Sequence, residues 1–125
     1  MTTQEVANRL VELCREGKYE QAVTELYSPD IVSVEPEGAP NRIVKGLEAI
    51  VKKGEHFQRK LEKVNTSLVT DPIVAENFFS CAMLMNVVMK GIPQAIDMNE
   101  ICVYTVSQGK IVREEFFHKL QPTQA

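Results

Sequence analysis

No stretch of this chain is apolar for long enough to cross a membrane; the runs stop well short of the ~18–20 residues a span requires. No block of Lys and Arg appears either. Acids and bases are interspersed along 125 residues with a net charge of -3, so the electrostatic footprint of a nucleic-acid-binding protein is missing. Histidine is scarce: His56 and His118 stand far apart, and three cysteines share no CxxC spacing. Neither a zinc site nor a disulfide framework follows from that pattern. No serine sits in a GxSxG context and no glycine-rich loop could cradle a phosphate. The opening MTTQEVANRL has no cationic n-region and no apolar h-region, so it does not read as a signal peptide. The expectation is a cytoplasmic protein with Cys14, Cys81 and Cys102 reduced and buried. It needs no metal and no cofactor, and it meets neither membrane nor nucleic acid.

Residues 1–120 suit a single domain, with a polar tail at 121–125 that frays. A domain of this size buries roughly two-thirds of its unfolded surface, enough for a core without staples. Thr2 to Glu5 fits a capping box, and Val6, Leu10, Leu13 and Cys14 recur at helical spacing until Gly17. Lys18 to Tyr27 repeats the pattern and Ser28-Pro29-Asp30 breaks it. Ile31 to Glu35 is a first strand; Pro36 to Asn41 is loop. From Gly46, residues Leu47, Ile50, Val51, Gly54, Phe57 and Leu61 form the stripe of a third helix, whose other side carries Lys52, Lys53, Arg59 and Lys60 as a solvated face. Strands follow: Lys63 to Thr70, a long one from Ile73 to Val88, then a hairpin from Ala95 to His118 turning at Gly109.

Two features of those strands bear on function. The run from Ile73 to Val88 is apolar on both faces: Phe78, Ala82 and Leu84 on one, Phe79, Cys81, Met83, Met85 and Val87 on the other. Helices can cover only one face, so the other calls for a partner, and a homodimer through the open sheet face is expected. In the hairpin, Met98, Glu100, Cys102, Tyr104 and Val106 share a face. A carboxylate in that apolar row is expensive to bury unless it is paired or protonated. Helices segregated from a run of antiparallel strands mean α+β, and a strongly curved sheet with one long helix across it makes a cone, or half-barrel, with three N-terminal helices packed on it.

The order of elements resembles the nuclear-transport-factor-2-like superfamily, in its SnoaL-like and ketosteroid-isomerase-like branch. The matching pieces are Glu16-Gly17-Lys18-Tyr19, Leu26-Tyr27-Ser28-Pro29-Asp30-Ile31-Val32, Gly46-Leu47-Glu48-Ala49-Ile50, and Gly109-Lys110-Ile111-Val112-Arg113-Glu114-Glu115. The resemblance implies a SnoaL-like, cystatin-like cone over residues 1–120. Val34-Glu35-Pro36-Glu37-Gly38 resembles the strand end where ketosteroid isomerases place a catalytic aspartate before Pro, which implies Glu35 as general base. The second acid of those enzymes falls near Asp97 to Cys102, with Glu100 the candidate by face. Where they carry an oxyanion tyrosine on the first helix this chain has Leu10, so steroid isomerisation itself is not implied.

Proton removal next to a carbonyl needs a base and a donor for the developing oxyanion, and ketosteroid isomerase is the worked case. Glu35 is the candidate base, and reads equally as a solvated strand end next to Glu37. Glu100, if desolvated, would stay protonated as acid or oxyanion donor; the alternative is that it faces out or pairs with a Lys or Arg of a neighbouring strand. Tyr27, Phe57, Met83, Met85, Met98, Tyr104, Phe116 and His118 are the candidate lining of a pocket for a small apolar, carbonyl-containing molecule. His118 reads equally as a rim or interface residue, and the methionines as plain packing. Three readings remain open: a cofactor-free isomerase, cyclase or dehydratase; a non-catalytic binder of a small apolar ligand; and a dimeric scaffold with a filled cone.

Overall fold

Thr2 caps the first helix in the computed structural model, which describes residues 1–120. The expected frayed tail lies outside the described residues. The Thr2 side chain accepts from the Glu5 amide while Glu5 reaches back to the Thr2 amide, so α1 spans Thr3–Arg15. Gly17, at φ 73°, supplies the left-handed residue that ends it. Helix α2 (Tyr19–Leu26) follows at once and runs directly into β1 (Tyr27–Val34). Strand β1 therefore begins four residues before the expected Ile31. Its pairing register shifts between Tyr27 and Val32, so Pro29 sits in an irregular stretch where its missing N–H breaks no ladder.

Strand β2 (Ile43–Lys45) precedes α3 (Leu47–Lys60), and β3 (Leu61–Val69) leads into the rest of the sheet. The expected single strand from Ile73 to Val88 is two strands. Strand β4 (Ile73–Ala75) folds back on β5 (Phe78–Met89), pairing Ile73 with Ser80 and Ala75 with Phe78. The turn is Glu76-Asn77, with Glu76 at φ 55°. No glycine or proline marks it, so apolar residues on either side read as one run. Strands β6 (Ile96–Ser107) and β7 (Lys110–Phe117) make the hairpin. Gln108 and Gly109 both have positive φ, the requirement of the tight turn that matches strand twist.

The sheet runs β2-β1-β7-β6-β5-β3, with β4 on β5. Only the β1–β7 pair is parallel. The sheet curves without closing and is an α+β cone with the helices over its concave side. Period two sorts the side chains. Phe79, Cys81, Cys102, Tyr104 and Ile111 point inward with Leu10, Leu13 and Leu26 of the helices and are buried. On the opposite face Leu68, Leu84, Ile101 and Phe117 remain 57%, 39%, 54% and 50% exposed. That uncovered face is the one for which a partner was expected.

Candidate functional site

The strand registers lay the inner face out in rows. Phe79 pairs with Tyr104, and Tyr104 with Glu114, which is beside Ser33 of β1. One step along are Cys81, Cys102 and Phe116. The next row joins Met83 to Glu100, and the register that pairs Ile101 with Phe117 brings His118 alongside. Met85 and Met98 follow. The first two rows are mostly buried; Met83, Glu100, His118, Met85 and Met98 are half-buried, toward the open end.

Glu35, immediately after β1, is the meeting point. Its Oε2 lies 3.0 Å from His118 Nε2 and its Oε1 2.7 Å from Lys53 Nζ. The other ring nitrogen of His118 lies 2.7 Å from the Lys119 carbonyl oxygen. Both ring nitrogens thus face acceptors, an arrangement that favours the doubly protonated ring. Burial alone would depress its proton affinity. The hydrogen bonds to Lys119 and Glu35, and the Glu35 charge, outweigh burial and hold it above its ordinary value. Glu35 therefore has Lys53 on one oxygen and His118 on the other.

Lys53 was expected on a solvated face, and the structure corrects this. Lys53 turns inward from α3, donates to Ser33 Oγ at 3.4 Å and lies 5.3 Å from the centre of the Phe116 ring. The signal was present in the sequence. Lys53 is three residues after Ile50 and four before Phe57, which places it on the apolar stripe between them. A long side chain can run its methylenes along such a stripe and deliver its charge at the far end. Phe57 is half-buried on the same stripe.

Glu100 is in a different situation. Among the described residues no Lys or Arg pairs with it; its contact is the Cys102 thiol, which donates to Oε1 at 3.6 Å. Burial, and then the Glu35 charge, push its carboxyl up to about 7, against the pull of His118. It holds or releases a proton near neutrality.

A second acid, Glu114, was not singled out as a site residue. It is buried, accepts from the Tyr27 hydroxyl and from Ser33, and burial raises its proton affinity while those two bonds lower it. Tyr27 is thus committed to Glu114, and burial holds its phenol well above the ordinary value. Tyr104 stacks on Phe79 with ring centres 4.7 Å apart and is buried as core. Lys53, Ser33, Glu114 and Tyr27 make one continuous polar chain through an otherwise apolar interior, and Lys53, Glu35 and His118 make another that shares Lys53. Two hollows of about 580 and 550 Å³ lie elsewhere, along α1 near Asp71 and Pro72 and beside Gly46 at the start of α3; neither is lined by these acids.

The curved open sheet, its helical cover and the polar cluster on its concave face define the class: a cone of the nuclear-transport-factor-2-like and cystatin-like type. The family model described as a SnoaL-like domain matches residues 1–118, and the chain belongs to that family. No curated protein matches it. Among solved structures, a protein from Mesorhizobium loti described as a SnoaL-like polyketide cyclase is 31% identical, with a TM-score of 0.88 over 94% of this chain and 99% of that one. A Xanthomonas campestris protein of unknown function with a cystatin-like fold is 16% identical, with a TM-score of 0.80 over 99% and 95%. A Catenulispora acidiphila protein with a ketosteroid isomerase-like fold, in complex with trimethylamine, is 17% identical, with a TM-score of 0.67 over 79% and 73%.

Proposed function

We propose that the concave face binds a small apolar, carbonyl-containing molecule and moves a proton next to that carbonyl, as an isomerase, cyclase or dehydratase would, with Glu100 as the proton carrier. The observation that carries this is the contrast between the two acids. Glu35 has both oxygens occupied, one by Lys53 and one by His118, so neither is open to a substrate proton as the site stands. Among the described residues Glu100 has no ion-pair partner, with His118 only alongside it, and its carboxyl is pushed up to about 7, where a general acid–base group is most effective. Ionised Glu100 takes the proton. Lys53 has three N–H donors, two of them on Glu35 and Ser33, so the third can meet the developing oxyanion. The likeness to the Mesorhizobium protein supports a cyclase-type substrate. A second reading, a binder without turnover, is favoured by Met83, Met85 and Met98, which offer an adaptable apolar wall around Glu100. In either case a second copy of the chain covers the open face of the sheet.

The test is exchange of α-hydrogens for deuterium, followed by NMR, on a panel of small cyclic ketones and 1,3-diketones. With Glu100 as base, the rate rises with pH through about 7 and Glu100→Gln abolishes it. A rate that falls through the same range makes Glu100 the acid and returns the base role to Glu35. No exchange, with the same compounds still raising the melting temperature, selects the binder.

A further inference from the structure

All three cysteines of the chain, far apart in sequence, come together beneath the site. Cys81 and Cys102 are direct cross-strand partners on β5 and β6, and Cys14 of α1 lies near Cys81. Each is reduced and buried. The Val106 amide donates to the Asn77 carbonyl at 2.8 Å, which makes that pair a hydrogen-bonded one. Pairs alternate along an antiparallel ladder, so Cys81 and Cys102, four steps on, are also a hydrogen-bonded pair with Cα atoms about 5.5 Å apart. That separation falls within the span of a disulfide. The Cys102 thiol donates its one hydrogen to Glu100 at 3.6 Å.

We propose that Cys81 and Cys102 are a redox-active dithiol that a hydroperoxide converts to a cross-strand disulfide, with Glu100 as the proton acceptor. The Cys81 sulfur attacks the distal peroxide oxygen. The O–O bond breaks, and water (or an alcohol) leaves with the Cys81 proton. The Cys102 sulfur then attacks Cys81, the S–O bond breaks, and the Cys102 proton passes through the Glu100 carboxylate to the departing hydroxide as a second water. Two electrons leave the sulfur pair and reduce one peroxide. Because the Cys102 hydrogen is directed at Glu100, the proton released in the second step has an acceptor in place, which fits Cys102 as the second thiol to react and Cys81 as the first. Cys14 is on α1 and has no place in the cross-strand pair. Half-buried Met83, Met85 and Met98 lie between these thiols and the open end of the cone. The bond takes away the S–H that Cys102 offers Glu100, so the thiol state and the acid are linked. The chemistry does not depend on turnover of a carbonyl compound.

The experiment treats the intact protein with hydrogen peroxide, unfolds it, alkylates free thiols and maps peptides without reduction. The expected result is one labelled cysteine, Cys14, and a linked peptide joining Cys81 to Cys102, lost again on treatment with dithiothreitol. Cys14→Ser should form the same link at the same rate. Three labelled cysteines, over-oxidation of single thiols, or a link that includes Cys14 overturns the proposal.

Discussion

Lys53 and Glu35 meet at 2.7 Å where α3 crosses the end of β1, and His118 closes on the other oxygen of the same carboxylate at 3.0 Å. This clamp joins a helix, a strand end and the last residues of the described chain. The Glu35 side chain is only 14% exposed, so water screens it poorly. Lys53→Met should therefore cost about 1.5–3 kcal/mol, the usual range for a hydrogen bond to a charged group. Glu35→Gln should cost a similar amount, and the double variant less than the sum, with a coupling of about 1 kcal/mol or more. Urea denaturation of the four proteins measures this. Additive losses would show that the two side chains do not support each other.

Glu100 sets a pH dependence with a definite sign. Its carboxyl is raised from 4.5 to about 7 in the folded chain. Between those values the folded state holds a proton that the unfolded state has released, so stability falls as pH rises through that window. His118 acts in the same direction, since its folded imidazolium is favoured and its contribution is lost as pH rises past its raised value. Glu100→Gln removes the first effect. The variant should match the wild type near pH 4 and exceed it above about pH 8 by up to roughly 3 kcal/mol, the worth of such a shift discounted for residual solvent. Denaturation midpoints across that range give the answer. A constant difference would mean that Glu100 is not desolvated.

The sequence carried the fold further than the site. Capping residues, helical spacing and the Gln108-Gly109 turn act over a few residues, so α1, α2, α3 and the final hairpin were legible. So was the face that Glu100 shares with Cys102 and Tyr104, because period two is a local rule. Two short strands were not. β2 is three residues after a proline-rich loop, and β4 is separated from β5 by Glu76-Asn77, which looks like neither a turn nor a break. The partners of Glu35 were out of reach for a different reason: the apolar stripe of α3 carries Lys53 inward, but where it and His118 arrive depends on how the sheet curves. Glu114 reads as one of two adjacent surface acids, until Tyr27 and Ser33 of the parallel neighbour β1 are placed against it.

Tyr27 and Glu114 yield a further prediction. The acid is buried with the tyrosine hydroxyl as its donor, supported by Ser33. Tyr27→Phe keeps the ring and removes only the donor. The carboxylate is then left short of a partner, at a cost of about 1–3 kcal/mol. The sign with pH follows: losing a bond that lowers the proton affinity of Glu114 raises it further, so the cost is greatest at high pH and shrinks where Glu114 is protonated. A cost independent of pH would place the effect in ring packing instead.

The outer face supplies the last prediction. Ile101 and Phe117 are paired across β6 and β7, Ile101 pairs with Ala82 on its other side, and Leu84 pairs with Leu68. These residues form an apolar field on the side the helices do not reach. A twofold dimer brings each residue of such a field into the interface twice. One charge introduced there is desolvated in both copies. Light scattering of the wild type at about 10 μM should therefore give twice the 14.1 kDa chain mass. Ile101→Lys should give the single-chain mass with an unchanged circular dichroism spectrum, because the side chain is exposed in the isolated chain. A wild type that runs at the single-chain mass would remove the second copy as the occupant of this face. The concave cluster of Glu35, Lys53, His118 and Glu100 would be unaffected, since every one of those groups comes from a single chain.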